Sequence, residues 1–429
     1  MANIALLGNG FDLHHGLPTT YNDMMHLMEF LASPHFFVQE HTSYHILNSY
    51  LKDYSFDNFR DDYERIYDFV QANKESLRKN KIDVSELHQL RQALQNSFWF
   101  QYFQSNIRIN LGWIDFESEI KKVIDIFATI IKNSFLEHDT IFHDSGQKVY
   151  FQFANSQIYD KNKRYQDRLR NFSVKAENGQ IQVVLDEKYK TNSNVISHCN
   201  IDLGLLVNDL YADLGIIKKA ICFYISNFID CVCDSIKPST ALKRVLEYDC
   251  VITLNYSDTY EIVYQRGGME EKRHSAEVFH YHGCLTDRDI VVGVNDSTED
   301  NEMKNGQFDT TFLCFKKYCQ RFISDELSEY DRLIDEYLKE VNLYLQEESS
   351  SDMVNSLDVI GHSLDVSDAD LIRRLFAMCD VITIYYHNEK AKMNYKHNLI
   401  KIFGKTFVDR MALEKRILLK KLDDYSPMK

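Results

Sequence analysis

Prolines and glycines are scarce in this chain. It has 4 prolines and 15 glycines among 429 residues, so a fold made of many short strands and tight turns is disfavoured. Long helices, which both residues interrupt, are favoured instead. The length is sufficient for two or three domains, or for one domain with a large insertion.

The sequence also lacks long apolar runs and an excess of basic residues. No apolar segment reaches the length that spans a membrane, and no signal peptide precedes the first predicted strand. The formal net charge is -15, and an acidic surface repels the phosphates of DNA and RNA. We therefore predict a cytoplasmic protein that binds no membrane and is not a general nucleic-acid binder.

Cysteine pairs at the spacing of a zinc site are missing as well. Among the nine cysteines, Cys231 and Cys233 are separated by one residue, and no second pair at zinc-site spacing accompanies them. These two are predicted to lie on a helix, and the cysteines to remain reduced thiols. The sequence therefore predicts no zinc, and no metal ligands are assigned.

Helical and strand patterns divide the chain unevenly. Apolar residues at helical spacing over 21–137, and again in the stretch that ends near Pro238, predict two helical blocks. Between them, alternating residues near 146–195, with Asn178 and Gly179 at the centre, predict a small β-hairpin excursion. Continuous apolar runs then predict parallel strands that are covered on both faces. These runs are 250–255, 278–283, 290–294, 357–363 and 381–386, with helices 308–347 and 368–379 between them.

The predicted fold is α/β, with a Rossmann-like, mostly parallel sheet and a large helical insertion. Residues 1–20 and 248–429 are predicted to form the α/β core, and 21–247 the mainly helical insertion. In such sheets ligands bind beyond the carboxyl ends of the strands. Polar residues and glycines, instead of further apolar residues, end the predicted strands: Gly8, Asn255, His282, Gly293, Gly361 and His362.

A glycine turn follows the first strand directly. The turn and the residues after it include Gly8, Asn9, Gly10, Asp12, Gly16 and Pro18. Glycines at such a turn let backbone amides approach a phosphate or a ribose. The dinucleotide-binding pattern is incomplete, because its third glycine would fall at Leu13. A tight strand-to-helix turn without a ligand stays an alternative, and His14 and His15 are predicted to lie at the surface of this turn.

Two residues are predicted to be catalytic. Asn255 and His282 each end an apolar strand, and an imidazole suits proton transfer near neutral pH. The alternatives are that Asn255 satisfies buried backbone groups and that His280 and His282 together hold a metal.

Further residues are predicted to bind the ligand or cofactor. They are Gly8, Asn9, Gly10, Asp12, Gly16, Pro18, Asp115, Glu117, Gly283, Gly361, His362 and Ser363. For Asp115 and Glu117, simple stabilisation of a helix start stays an alternative.

Six motifs span nearly the whole chain. They are GNGFDLHHGLPTTY, W-x-D-x-E from Trp113 to Glu117, TLNYSDTYE, FHYHG, VVGVND and VIGHSLDVSDADLI. In this order they resemble the AbiH family of bacteriophage abortive-infection proteins. Several also resemble, more distantly, sirtuin-like domains, including the NAD-cleaving domains of bacterial defence systems. This second resemblance implies a sirtuin-like fold in which Gly8 and Gly10 line a pyrophosphate, Asn255 lies beside the nicotinamide ribose, and His282 lies beside its hydroxyls.

The chain departs from the sirtuin pattern at several positions. Asn9 stands where sirtuins have Ala, Asp12 where they have Ser, and Tyr256 and Ser257 replace a hydrophobe and Asp. A carboxylate at position 12 repels a phosphate unless it points to ribose hydroxyls, caps the next helix or holds a cation. The two cysteine pairs of sirtuin deacylases are absent from the sequence, so a deacylase is disfavoured.

Three functions remain open at this point. The first is an antiphage enzyme that cleaves the nicotinamide–ribose bond of NAD. The second is a non-catalytic nucleotide sensor or interaction module. The third is a hydrolase in which Asp12, Asp115 and Glu117 hold a divalent cation for phosphoester cleavage. Each takes a small nucleotide, and NAD is the predicted substrate or ligand.

Control of such an enzyme is predicted to reside in the insertion. An enzyme that destroys a central cofactor must be inactive until infection, and a phage-derived trigger is expected. We predict a homo-oligomer built through the aromatic residues of 98–103, since exposed aromatic faces are common at subunit interfaces. The alternative is that these aromatic residues pack inside the insertion's own core.

Overall fold

Helices and one parallel sheet dominate the structure, which is a computed structural model. It describes residues 3–53, 60–109, 115–134, 141–143, 148–153, 174–177, 180–186, 190–191, 200–239, 242, 248–266, 276–283, 290–294, 311–324, 332–334, 336 and 355–422. Of the helices in these ranges, none is long and apolar enough to cross a membrane.

The helices confirm the helical blocks that the apolar periodicity predicts. They are α1 (Asn9–His14), α2 (Tyr21–Ala32), α3 (Ser43–Asp53), α4 (Arg60–Ala72), α5 (Lys74–Lys79), α6 (Val84–Asn96), α7 (Phe98–Ile109), α8 (Phe116–Ser134), α9 (Leu203–Tyr224), α10 (Lys317–Ile323), α11 (Ala369–Met378), α12 (Glu389–Phe403) and α13 (Lys405–Leu413). A π-helical turn (Ile225–Asp230) and a short helix (Cys231–Cys233) continue α9, and Glu261–Arg266 form a second π-helical turn. Short 3-10 turns lie at Leu313–Phe315 and Val366–Asp368.

The strands belong to one large parallel sheet and two small antiparallel ones. They are β1 (Asn3–Leu7), β2 (Ile141–His143), β3 (Lys148–Phe153), β4 (Val174–Glu177), β5 (Gln180–Asp186), β6 (Lys190–Thr191), β7 (Asn200–Ile201), β8 (Cys250–Thr253), β9 (Glu277–His280), β10 (Ser356–Ile360), β11 (Val381–Tyr386) and β12 (Ile417–Lys421). The predicted β excursion is found as the antiparallel sheet β2-β3-β5-β4, while Asn178 and Gly179 themselves lie outside the described residues.

The large sheet has the order β12-β11-β10-β1-β8-β9, and its pairs are all parallel. Counted along the chain, its strands follow the order 3-2-1-4-5-6 of doubly wound folds. This confirms the predicted α/β fold with a Rossmann-like sheet. The order reverses between β1 and β10, and a crevice at the carboxyl ends of the strands is expected there.

Strand register places the ends of the central strands at one level. Leu7 pairs with Thr253 on one side and with Ile360 on the other, and Thr253 pairs with His280. The residues that follow these strands therefore come together at one edge of the sheet.

Both faces of the sheet are covered, as the continuous apolar strands predict. Ala5 and Leu7 of β1 belong to the core that the insertion helices share, while Ile4 and Leu6 belong to a second core beneath α11, α12 and α13. This separation follows from the alternation of side chains along a strand.

One predicted strand is wrong. Residues 290–294 form a single bridge, Val294 with Lys316, and lie outside the large sheet. Their backbone groups are used elsewhere: Val291 N–H donates to the His282 carbonyl at 2.9 Å, and Val294 N–H to the Phe315 carbonyl at 2.8 Å. The predicted helix 308–347 is found in part: α10, over Lys317–Ile323, is the longest helix that the structure describes in this range.

The aromatic residues of 98–103 are core residues, so the predicted interface is wrong as far as it depends on them. Four of them are at most 3% exposed: Trp99, Phe100, Tyr102 and Phe103. Trp99 also donates its indole N–H to the Leu210 carbonyl at 2.9 Å. Phe98 remains 42% exposed. The homo-oligomer itself stays a prediction, without this support.

Candidate functional site

A cavity of about 960 Å³ lies at the carboxyl ends of the strands, and we call it the strand-end pocket. Three parts of the chain line it: the turns after the strands, the insertion helices and α12. It brings together most of the predicted site residues. These are Gly8, Asn9, Gly10, Asp12, Asp115, Glu117, Asn255, His282, Gly361, His362 and Ser363. Gly16, Pro18 and Gly283 are not among its lining residues.

Close packing of two turns explains the first glycines. Gly8 N–H donates to the Ile360 carbonyl at 3.1 Å, and Gly10 N–H to the Gly361 carbonyl at 2.8 Å. A Cβ on Gly10 would lie 2.7 Å from Gly361 Cα, and Gly361 itself has a φ of +70°. These two amides are therefore used within the protein, and glycine is needed because the turns after β1 and β10 touch.

Three predicted residues shape turns near the pocket. Gly16 and Gly283 have φ values of 74° and 82°, the left-handed region that favours glycine. The Pro18 carbonyl accepts the Tyr224 hydroxyl at 2.5 Å. These contacts position α1, α9 and the turn after β9.

The two histidines after Leu13 are not surface residues, contrary to the prediction. Both are partly buried: the His14 ring is 2.7 Å from Ser239 Oγ, and the His15 ring is 2.7 Å from the Tyr264 hydroxyl. His14 also lines the pocket. Packing of α1 against the residues around 239 and 264 buries them.

Asp12 lines the pocket, with one carboxylate oxygen hydrogen-bonded and the other without a partner. Its side chain is 1% exposed. Ser257 donates its hydroxyl to Oδ2 at 2.6 Å, whereas the buried Oδ1 has no hydrogen-bond partner. Burial raises the pKa of Asp12 to about 6, although neighbouring hydroxyl and amide groups lower it. The free oxygen is an acceptor for a ligand hydroxyl or a water.

His282 and His362 face the same carboxylate. His282 Nε2 lies 3.1 Å from Asp368 Oδ1, and His362 Nε2 lies 3.2 Å from Asp368 Oδ2. Burial, together with the positive charge of Lys317, lowers the pKa of His282 to about 4. Burial by itself would raise the pKa of Asp368, but Lys317 and His282 hold it well below its usual value. At neutral pH the pocket therefore presents a neutral imidazole beside an ionised carboxylate.

Glu117 reaches the same group of residues from the insertion. Lys317 Nζ lies 2.7 Å from Glu117 Oε1 and 2.8 Å from Asp368 Oδ1. Burial raises the pKa of Glu117 to about 7, against the attraction of Lys317. We call Glu117, Lys317, Asp368, His282 and His362 the Lys317 network. It contains a carboxyl group that titrates near neutral pH, as an acid–base catalyst must.

Asp115 and Glu117 have separate roles, although the sequence presents them as a pair. Asp115 Oδ1 accepts the Glu117 N–H at 3.1 Å, and Oδ2 accepts the Ser118 hydroxyl at 2.7 Å. Asp115 therefore stabilises the start of α8, while the Glu117 side chain pairs with Lys317. Trp113 of the same motif lies outside the described residues.

His280 and His282 have different partners and do not form a common metal site. His280 Nε2 lies 2.5 Å from Glu261 Oε1 and 4.0 Å from Asp258 Oδ1. Burial lowers the pKa of His280, but the bond and charge of Glu261 outweigh it and raise the pKa. In the described ranges, His280, Asp258 and Glu261 are the group whose ligand atoms lie close enough to hold an ion. Their own ion pair accounts for the cluster.

The cysteines of 231–233 lie on the helical turn that continues α9, as predicted. Cys231 Sγ donates to the Asn227 carbonyl at 3.1 Å, and burial raises the pKa of this thiol to about 12. A thiol that keeps its proton is a poor zinc ligand. The absence of zinc stays a prediction.

Sequence reasoning missed Lys317 and Asp368. Asp368 lies inside the motif VIGHSLDVSDADLI, so the motif was a signal that could have identified it. Lys317 belongs to no motif, and lysines are almost always exposed, so the sequence does not indicate its burial.

Comparison with known proteins gives one match. The protein-family model described as "Bacteriophage abortive infection AbiH" matches residues 4–387. No curated protein and no solved structure matches the chain. The match confirms the first resemblance and includes every predicted site residue, whereas the sirtuin resemblance rests on the motifs alone.

Proposed function

The chain belongs to the bacteriophage abortive infection AbiH family, an antiphage defence family, and we propose that it acts by hydrolysing NAD at the nicotinamide–ribose bond. The observation that carries the proposal is the composition of the strand-end pocket. It gathers Asn255, His282 and three carboxylates, those of Asp12, Glu117 and Asp368, where doubly wound sheets bind nucleotides. Its volume of about 960 Å³ is that of a small-molecule site.

The charge of the pocket suits this reaction. When the bond between C1′ of the ribose and the nicotinamide nitrogen breaks, the bonding electrons leave with nicotinamide and positive charge develops on the ribose. Ionised Asp12 and Asp368 stabilise that charge without any movement of the protein.

Three side chains complete the proposed mechanism. Asn255 orients the ribose or the attacking water, and the neutral imidazole of His282 engages a ribose hydroxyl. Glu117, whose pKa is about 7, takes the proton of the water that forms the new bond to C1′. The products are nicotinamide, ADP-ribose and one proton. The glycine turn lines the same pocket, and we assign the pyrophosphate to it on that ground alone, since the Gly8 and Gly10 amides are bonded to the Ile360 and Gly361 carbonyls.

Two departures from the sirtuin pattern support this assignment when they are taken together. The chain has Asp12 where sirtuins have Ser, and Ser257 where they have Asp. The two side chains are hydrogen-bonded at 2.6 Å. One hydroxyl and one carboxylate thus meet at the two positions where the sirtuin resemblance implies one carboxylate and one hydroxyl, in the reverse order.

Incubation of the purified protein with NAD tests the proposal. The reaction is run with and without extract of phage-infected cells, and nicotinamide and ADP-ribose are quantified by chromatography. We expect the two products in equal amounts, in at least one of the two conditions. Binding of NAD without its consumption in either condition would support the nucleotide sensor instead. Cation-dependent release of phosphate from a nucleotide would support the phosphoester hydrolase, and both results contradict the proposal.

A further inference from the structure

A buried lysine lies directly behind the wall of the strand-end pocket. Lys317 is 2% exposed, and its ammonium group contacts Glu117 and Asp368 at 2.7 and 2.8 Å. Lys317 does not line the pocket, whereas the other members of the Lys317 network all do. The lysine can therefore influence a ligand in the pocket only through its partners.

The backbone fixes Lys317 relative to His282. Lys317 N–H donates to the Val294 carbonyl, and Val291 N–H donates to the His282 carbonyl, both at 2.9 Å. The segment that connects these two contacts lies close to Phe315: Val294 N–H donates to the Phe315 carbonyl at 2.8 Å, and a Cβ on Gly293 would lie 2.3 Å from that oxygen. Lys317 and His282 are thus attached to opposite ends of one short segment, residues 291–294.

Asp368 links the lysine to both histidines. Its Oδ1 faces Lys317 and His282, and its Oδ2 faces His362. His362 Nδ1 accepts the Leu364 N–H at 3.1 Å, so the ring proton is on Nε2 and points to the carboxylate. Leu364 has a φ of 54°, a strained conformation that this contact supports. The network therefore also orders the turn after β10.

Stability alone is a poor explanation for this arrangement. A buried ion pair returns little more free energy than its desolvation costs, and apolar side chains of similar volume commonly replace one without loss. Apolar side chains, however, would not provide the polar contacts that link Glu117 of α8 to the two histidines of the pocket.

We propose that Lys317 is a positioning residue: its ammonium group fixes Asp368 beside His282 and His362 and presents Glu117 of the insertion to the pocket. This inference rests on the proposed function, in which these partners face NAD. It adds a residue outside the pocket to the machinery, and it makes a helix of the insertion part of the site.

The charges around His282 show what removal of the lysine would change. The titratable and charged groups that face this histidine are Lys317, Arg321, Asp368, Tyr256 and Tyr281. Burial lowers the pKa of His282 most, Lys317 lowers it further, and Asp368 raises it. Without the lysine, the attraction of Asp368 is no longer opposed, and the pKa of His282 must rise.

Histidine titration by NMR tests the proposal without any need for activity. The protein is labelled with 13C-histidine, and the His282 signal is identified by its loss in His282→Gln. We expect this signal to remain that of a neutral ring down to about pH 5 in the wild type. In Lys317→Met its midpoint should rise by about one pH unit or more. Lys317→Arg should retain the neutral ring, and Lys405→Met, at an exposed ion pair with Asp409 on α13, is the matched control.

A second variant is included in case Lys317→Met does not fold. Lys317→Met leaves two carboxylates without their cation, whereas Lys317→Met combined with Glu117→Gln removes the cation and one carboxylate together. The same rise in the His282 midpoint is expected there. An unchanged midpoint in either folded variant overturns the proposal, and so does a wild-type His282 that titrates near pH 6.

The activity measurement separates this inference from the proposed function. If NAD is hydrolysed, the pH profile of kcat should shift in Lys317→Met, while Lys317→Arg restores the wild-type profile. If the wild type does not consume NAD, the proposed function fails, and the titration still decides the role of Lys317.

Discussion

Asp12 is the residue at which burial and chemistry conflict most clearly. Its carboxyl group is 1% exposed and receives one hydroxyl, from Ser257, while its other oxygen has no partner. Burial of an ionised group with half of its hydrogen-bonding capacity unused costs free energy. Because Asp12 lines the strand-end pocket, a ligand that donates a hydrogen bond to this oxygen would offset the cost.

Replacement of Asp12 should therefore stabilise the protein in a pH-dependent way. The folded pKa of about 6 lies above the ordinary 3.8, so the favourable contribution of this group is complete below about pH 4 and is lost as the pH rises through about 6. A shift of about two units corresponds to about 3 kcal/mol. Asp12→Asn should gain up to that amount in free energy of unfolding near neutral pH and nothing below about pH 4.

Urea denaturation at both pH values measures this difference. Asp53→Asn, at an exposed position on α3, is the matched control and should differ from the wild type by less than about 0.5 kcal/mol. An equal change at both pH values for Asp12→Asn would mean that its carboxylate is not the cause.

Asn255 and His282 are the residues on which the proposed reaction depends most directly. Asn255→Ala and His282→Ala should each reduce NAD hydrolysis by about 100-fold or more, because each removes a group that orients the ribose, the water or a proton. Their thermal midpoints should stay near that of the wild type. His88→Ala, an exposed histidine on α6, should leave hydrolysis unchanged. Loss of activity that merely accompanies unfolding would make both residues structural.

At the scale of elements, contact between the turns after β1 and β10 determines the shape of the pocket floor. Gly10 and Gly361 face each other so closely that neither position has room for a side chain. The two strands are neighbours in the sheet, and the turns must cross at the point where the strand order reverses.

A methyl group at Gly10 should separate these two turns. A Cβ there would lie 2.7 Å from Gly361 Cα, and backbone atoms cannot move aside as a flexible side chain can. Gly10→Ala should therefore lower the free energy of unfolding by about 1–3 kcal/mol and weaken nucleotide binding.

Gly215 on α9 provides the control for this substitution. Nothing lies within 4 Å of a Cβ built there, so Gly215→Ala should stabilise the helix by about 0.5–1 kcal/mol. Urea denaturation of both variants measures the difference. A Gly10→Ala protein as stable as the wild type would show that the turns can move apart freely.

At the scale of the whole molecule, insertion and sheet share one core. Trp99 and Phe103 of the insertion belong to the same cluster of buried residues as Ala5 and Val251 of the sheet. A shared core of this kind makes separate unfolding of either part unfavourable, because each would expose the apolar surface of the other.

Insertion and sheet should therefore unfold in a single transition. The two tryptophans, Trp99 and Trp113, both report on the insertion, and Cys250, buried in β8 at 1% exposure, reports on the sheet. Tryptophan fluorescence and the alkylation of Cys250, followed by peptide mass spectrometry, should give the same urea midpoint. If Cys250 stays unalkylated at urea concentrations above the midpoint of the fluorescence change, the sheet is stable without the insertion.

The sequence by itself determined the central strands of the sheet and the composition of their ends. Continuous apolar runs such as 250–255 and 357–361 required cover on both faces, which a parallel sheet between helices provides. The change from apolar residues to Asn255 and His282 at the strand ends marked where a site could form. The strand 290–294 was predicted wrongly for the same reason, because an apolar run reports burial and not the partner of its backbone. No strand was predicted over Ile417–Lys421, because its apolar run, from Ile417 to Leu419, is only three residues long.

The tertiary structure alone decided which charged groups meet. Glu117, Lys317 and Asp368 lie far apart in the chain. Glu117 and Asp368 belong to motifs, but nothing in the sequence joins them to each other or to Lys317. Their pairing depends on the order of the strands and on the paths of the turns, which bring α8, α10 and the turn after β10 to one place. A charge can remain buried only where its counter-charge is already in position, and no local pattern of residues records that position.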